Sequence, residues 1–426
     1  MGKIIHISAS LSKTSILFFV LLLRFVFDLV YVVYIDPYYS YTGLTISFSL
    51  FNYFLSIGGV VFIFQLLPFD NCRPSSLISQ FLFLMIYLPF SSYFGMSGGD
   101  YVWFLGVTSF WVLTLFMIQY PFNFKLPVVK QFPVSWFLWG VVSFIIVLLG
   151  LTIYYSGLHV NFDLYSVYEL REKNPTGKIP FSGYSINWVA KSALPFILLF
   201  SLYRYKTVFN IWVLFVFVSI LILFFNTGHK SFLFNIPFVL ILYYLVKSKH
   251  FLLLFISSLL VISIIGLLFF WLFGDKAILT LFIRRSLYIP AQLSFYYHEF
   301  YLDQPLYLSN SFLSSLSDYP HHLEPAHMIA NEYFNSDKMA ANNGIISDGF
   351  KHFGYMGLVV WSVLLSLFLK FLDALRTSTP YLILIPLLIL GSKSFIDGAF
   401  FTSLLTHGIL ISLLVLLFIN VKKKNL

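Results

Sequence analysis

The sequence is poor in charge. Only 10% of its 426 residues are Asp, Glu, Lys or Arg, against about 25% in a soluble domain. It holds a single cysteine, Cys72. That excludes an intrachain disulfide and any multi-cysteine metal site. A glycine-rich phosphate loop of the G-x-x-x-x-G-K-[ST] kind is missing, which excludes an ATP motor built on one. There is no RNA- or DNA-binding signature either. The net charge of +9 therefore does not imply nucleic acid, and no nucleic-acid partner is expected. The first apolar run is followed by no small-residue cleavage site, so the N-terminus is expected to be a retained first helix.

Apolar surface fills the space that charge leaves. Hydrophobic residues make up 59% of the chain and aromatic residues 21%, with a mean hydropathy of +0.87. Such a surface needs the bilayer as its solvent. A spanning helix takes about 20 apolar residues. Twelve segments fit, near 15–35, 44–67, 77–95, 100–120, 134–156, 184–202, 207–226, 231–246, 251–273, 353–372, 381–398 and 401–420. The expected fold is an all-α polytopic integral membrane protein, a single membrane domain over 1–426. Kinks are expected at Pro89, Pro195, Pro237 and Pro386, where neighbours must satisfy the freed backbone groups.

Lys and Arg placement sets the orientation. With the N-terminus inside, the inner segments hold Lys3, Lys13, Arg73, Lys125, Lys130, Arg204, Lys206, Lys247, Lys249, Lys370, Arg376 and Lys422–Lys424. These 14 basic residues face two acidic ones, Asp70 and Asp373, whereas the outer side holds 11 basic and 14 acidic residues. Both termini are then cytoplasmic. Two outer segments are long, 157–183 and 274–350. Eight of ten histidines fall on the outer side, all but His6 and His250. A residue suited to proton transfer near neutral pH is thus concentrated on one face.

Outer cations recur where helices meet solvent: Arg171, Lys230, Arg284, Arg285, Lys351 and Lys393. Lys230 and Lys393 share a small-polar turn, TGHKS at 227–231 and GSKS at 391–394. Neither helps topology, because both lie on the side that usually avoids positive charge. Converging Arg and Lys suit a phosphate or diphosphate; each taken singly also suits snorkelling to lipid headgroups. His327, with Asn331 one turn later, and Asp348, at the opening of a helix, are candidate bases for a sugar hydroxyl. His321, His322 and His327 fit no standard zinc spacing. Outer aromatics, Tyr168 and Tyr288 among them, suit stacking on sugar faces, although an interfacial belt uses the same residues. Arg24 and Asp28, spaced i,i+4, are expected to form a buried pair that locks the first helix to its neighbours.

Three stretches carry a resemblance: DLYSVYELRE…FSGYSINWVAKSALP at 163–195, TGHKS at 227–231, and NNGIISDGFKHFGYMGL at 342–358. With about twelve helices and two large outer loops, the chain resembles the bacterial oligosaccharide repeat-unit polymerases, the O-antigen polymerases (Wzy). The resemblance implies an architecture similar to the membrane-embedded polyprenyl-dependent (GT-C-like) glycosyltransferases, in the bacterial inner membrane, with both loops periplasmic. It implies transfer of a growing glycan from undecaprenyl pyrophosphate to the next lipid-linked repeat unit. Donor, acceptor and lipid bilayer are the implied partners, with a chain-length regulator as a further one. Lys230, Arg284 or Arg285, with Lys351 and Lys393, would stabilise the leaving diphosphate, and Arg171 would hold donor or acceptor phosphate. His327 or Asp348 would take the proton, and Asn343, in the third motif, would bind the glycan together with Tyr168 and Tyr288. A single displacement inverts the anomeric carbon, and the scheme uses neither metal nor cofactor. An O-antigen ligase, with a lipid A core acceptor, and a non-enzymatic flippase of lipid-linked glycan are the alternatives. Ligases often carry His followed directly by Asn; here three residues separate His327 from Asn331.

Overall fold

The computed structural model of the protein describes residues 12–122, 124–127, 129–157, 175–179, 181–311, 318–375 and 377–421. Helices α1 (Lys13–Thr42), α2 (Leu50–Leu66), α3 (Pro74–Ser97) and α4 (Tyr101–Gln119) come first. Next are α5 (Val134–Ser156), α6 (Ser182–Tyr205), α7 (Ile211–Thr227), α8 (Lys230–Leu245) and α9 (Phe251–Phe273). A π-helical stretch, Leu279–Tyr288, runs directly into Ile289–Tyr301, and the two form α10. Then come α11 (Pro325–Phe334), α12 (Ile345–Asp373), α13 (Tyr381–Phe395), α14 (Phe400–Leu405) and α15 (Ile409–Phe418). Strand among the described residues is limited to a two-residue parallel ladder, Phe132–Pro133 against Ile419–Asn420.

Seven helices, α1, α3, α4, α5, α6, α9 and α12, are long and apolar enough to cross a membrane. Five others, α2, α7, α8, α13 and α15, are apolar but have 10–17 residues. Their outward surface is one that water would not tolerate: α5 exposes Trp136, Trp139, Ile146 and Val147, and α9 exposes Trp271, Leu272 and Phe273. Two expected segments differ from the structure. The run 401–420 is not one helix, because the chain turns at Gly408 with φ +83°. The segment at 353–372 is the second half of α12, which starts at Ile345 and breaks at Phe353–Gly354. Close helix packing is what the sequence around 354–357 suggests for both glycines there, but Gly354, at φ 57° and ψ −140°, serves backbone geometry instead. Gly357 does serve packing, its backbone lying against that of Gly349.

Prolines shape the helices in a regular way. Pro37, Pro89, Pro195 and Pro290 each follow a π-turn by two residues: Tyr31–Ile35, Phe83–Tyr87, Val189–Ala193 and Leu279–Tyr288. Proline lacks an N–H and its ring clashes with the carbonyl four residues back. Widening the preceding turn relieves that clash. Pro237 and Pro386 sit inside plain α-helix instead.

Arg24 and Asp28 form a buried ion pair. Arg24 also donates to Ser56 of α2 and Ser91 of α3, and Asp28 accepts from Ser92 at 2.7 Å and Tyr53 at 3.2 Å. A buried pair is tolerable only when its remaining polar atoms are satisfied, and these are. The pair thus ties α1 to its neighbours.

Contacts sort the helix ends into two groups. At one end Lys13 bonds the Gln65 carbonyl at 2.8 Å, Arg73 pairs with Asp373 at 2.8 Å, and Lys370 bonds the Tyr120 carbonyl at 2.5 Å. Asn71 reaches the Lys249 carbonyl there as well. At the other end Gln292 bonds Thr42, Asn52 bonds Gly99, and Trp188 bonds Leu405. The segments grouped by their basic residues therefore meet one another in space.

Candidate active site

Away from the basic end, α6, α8, α12, α13 and α14 wall a cavity of about 480 Å³. Tyr297 of α10, Asn310, Glu324–Ala326, Asn342 and Asn343 also line it. Three lysines line it, Lys191, Lys351 and Lys393, together with Asp348, Asp397 and His407. Charged groups among apolar helices are costly and belong to polar cavities; here the cavity is one.

Lys191 owes its place to a local fault in α6. It lies in the Val189–Ala193 π-turn, and Pro195 has no N–H to offer the Lys191 carbonyl. Its ammonium group bonds Nδ1 of His407, in the turn between α14 and α15. The two segments are further tied by Trp188 Nε1 to the Leu405 carbonyl (2.7 Å) and by Ser192 to Ser412 (2.8 Å). A charged ammonium can only donate, so Nδ1 accepts and the ring proton sits on Nε2. That nitrogen lies beside Gly398, another cavity residue.

Lys393 opens the last turn of α13, where a short 3-10 turn, Lys393–Phe395, replaces the α-helix. Its Nζ lies 5.2 Å from the Phe238 ring centre on α8, a cation–π contact. Asp397, four residues on, is open to the cavity, and the charges of Lys393 and Lys191 both act on its carboxylate.

Asp348 and Lys351 occupy the short helix ahead of the Gly354 break. Lys351 Nζ is 2.8 Å from Asp348 Oδ1, and His352 Nε2 is 3.7 Å from the same atom. Asp348 Oδ2 accepts from Trp361 Nε1 (2.8 Å) and from the Phe400 N–H (3.0 Å). A Cβ on Gly344 would run into the carbonyls of Phe395 and Ile396, so glycine lets this helix start against the end of α13.

Asp348, Lys351, Lys393 and Asn343 thus come together, as their types suggested. Others stand elsewhere. Asp348 is saturated by donors, which suits an anchoring carboxylate better than a base. His327 uses Nδ1 on the Asp337 carbonyl at 2.9 Å and does not line the cavity, although neighbouring Pro325 and Ala326 do. Lys230 begins α8 and is half-buried; the next residue, Ser231, lines the cavity. Arg284 stacks on Tyr39 at 3.9 Å, and exposed Arg285 follows it, both outside the cavity lining. Tyr288 is fully buried and hydrogen-bonded to Ser92 (2.6 Å) and the Phe27 carbonyl (2.9 Å), so its ring has no face for a sugar. Arg171 and Tyr168 lie outside the described residues.

The lining also contains groups that the sequence reading did not single out: Lys191, Asp397, His407, Glu324 and Asn235. The signal for Lys191 was present, since it is the lone charge inside the apolar run 184–202. An ionisable residue at membrane depth is a functional candidate by default. Among the described residues no three His, Cys, Asp or Glu side chains are grouped so as to hold a metal ion.

The cavity offers both signs of charge and many neutral polar groups, including Asn235, Asn310, Asn343, Thr402 and Thr406. Ammonium groups can neutralise an anionic leaving group, a carboxylate can take a proton, and amides and hydroxyls can hold a polyol. Comparison with known protein families, with curated proteins and with solved structures found no match.

Proposed function

We infer that the protein polymerises lipid-linked oligosaccharide repeat units at the periplasmic face of a bacterial inner membrane. The observation that carries this reading is the cavity itself. Lysines from three separate helices line one polar hollow away from the basic end. A diphosphate needs such a place, with cations converging on its head.

The chemistry is a single displacement. The acceptor hydroxyl oxygen bonds to the donor's anomeric carbon, and the bond from that carbon to the diphosphate oxygen breaks. The electron pair leaves on the diphosphate, where Lys191, Lys393 and Lys351 stabilise it. Fixed cations in a poorly hydrated site are most effective against charge that develops in the transition state. The hydroxyl proton passes to Asp397, the carboxylate open to the cavity. Neutral His407 donates through Nε2, and Asn343 and Asn235 hold sugar hydroxyls. Anomeric configuration inverts.

Reconstituted protein supplied with an undecaprenyl-pyrophosphate-linked repeat unit tests the reading. A ladder of glycan lengths on the polyprenyl carrier supports it. A product that forms only with a lipid A core acceptor makes the protein a ligase. Transbilayer movement of the substrate without bond formation makes it a flippase.

A further inference from the structure

A second cavity lies at the basic end, remote from the first. It holds about 230 Å³ between the C-terminal ends of α6 and α8 and the start of α13. Two lysines line it, Lys206 and Lys247, with Tyr203, Tyr243 and Tyr244; Leu202 and Leu382 supply the apolar part. Lys247 Nζ sits 4.3 Å from the Tyr243 ring centre and 4.6 Å from that of Tyr244. The aromatic pair thus holds one ammonium at the cavity wall. The other ammonium comes from an unusual backbone. Lys206 caps α6 in the left-handed conformation, φ 56° and ψ 16°, where glycine is the usual residue. A strained residue at a cavity wall points to function.

We propose that this cavity binds the headgroup of an anionic phospholipid in the leaflet at the basic end. The ligand chemistry is a phosphodiester. One negative charge meets Lys206 and Lys247, and the exposed tyrosine side chains, Tyr203 and Tyr244, offer hydroxyl donors to the phosphate oxygens. Leu202 and Leu382 match the glycerol carbons. The acyl chains have a surface to follow, because adjacent α7 exposes Ile211, Leu214 and Phe217, with Phe209 91% exposed just before it. A free phosphate would use the lysines but leave this apolar surface unused. Basic pockets between membrane helices on the cytoplasmic side recognise anionic headgroups in this way. The proposal is independent of the chemistry in the larger cavity.

The test uses the full chain purified in a neutral detergent and exposed to phosphatidylglycerol, phosphatidylcholine or inorganic phosphate. Native mass spectrometry counts the bound lipid. Wild type is expected to retain phosphatidylglycerol in preference to phosphatidylcholine by about tenfold, and inorganic phosphate is expected not to displace it. A Lys206→Gln/Lys247→Gln double variant loses the preference, while Lys249→Gln, at the same end but outside the cavity, keeps it. Should the double variant fail to fold, Lys247→Gln alone and the wild-type lipid comparison decide. Equal retention of the two lipids by wild type overturns the proposal. So does undiminished preference in the folded variants, and so does ready displacement by phosphate.

Discussion

Lys351 Nζ lies 2.8 Å from Asp348 Oδ1, one helical turn away and both buried, on the short helix that Gly354 separates from the rest of α12. Removing one partner of such a pair leaves an uncompensated charge, at a cost of about 3–5 kcal/mol. Asp348 also anchors Trp361 and the Phe400 N–H, so Asp348→Ala is expected to reach the upper part of that range. Lys351→Met in the same background removes the orphaned ammonium and recovers part of the loss. Thermal unfolding of the detergent-solubilised single and double variants measures both. If the double variant is no more stable than Asp348→Ala, the pair is not a coupled unit.

Lys191 and Lys393 reach the large cavity from helices far apart in sequence, and neither carries the Asp348 contact. Loss of one preorganised charge-stabilising group costs roughly 100-fold or more in rate. Lys191→Ala and Lys393→Ala are each expected to lower polymerisation by that order. Arg285→Ala, outside the cavity lining, is expected to stay within about twofold, as surface changes away from a site usually do. The readout is ladder formation at matched protein levels. Equal defects in all three, or none in the lysine variants, would remove the diphosphate role.

Much of the helical scaffold was legible in the sequence. The apolar runs at 134–156 and 251–273 are helices with those very limits, because their hydropathy ends sharply and needs no tertiary context. The pairing of Arg24 with Asp28 followed from i,i+4 spacing alone. The site was only half legible. Asp348, Lys351 and Lys393 carried local signals, a helix start and a repeated turn. Lys191 and His407 meet across 216 residues, and no local pattern encodes which helices become neighbours. The break at Gly408 stayed hidden because Thr406, His407 and Gly408 interrupt an otherwise apolar run only briefly, and hydropathy cannot distinguish one helix from two.

Gly354 offers a test of backbone rather than contact. A Cβ there would meet nothing within 4 Å, yet φ is +57° with ψ −140°, a region open almost only to glycine. Gly354→Ala is expected to cost about 1–3 kcal/mol through strain alone. Gly140 is the control: it sits inside α5, also with nothing within 4 Å of a Cβ, in ordinary helical conformation. Gly140→Ala is expected to stabilise by roughly 0.5–1 kcal/mol. Unfolding temperatures of the two variants in one detergent should move in opposite directions; movement in the same direction would contradict the Gly354 geometry.

His298 gives the protein a pH response outside both cavities. It lies on α10, stacked on Trp103 with ring centres 4.7 Å apart, its Nε2 2.9 Å from the Tyr355 hydroxyl. Burial lowers its pKa below the ordinary 6.5, against the weaker upward pull of Asp100, whose Oδ2 is 3.9 Å from Nδ1. The folded state therefore keeps this ring neutral at a pH where the unfolded chain takes up a proton. Stability is fully present above 6.5 and falls as pH drops through that value, by at most about 1.4 kcal/mol per pH unit for one proton. It levels off once the pH passes the depressed folded pKa. Phe at this position keeps the ring stack and cannot titrate. The difference in stability between wild type and His298→Phe should thus be constant above neutral pH and shrink as pH falls from 7 towards 5. A difference that stays flat across that window would mean that folding leaves the His298 pKa unchanged, and one that widens would mean that His298 is protonated in the fold and paired with Asp100.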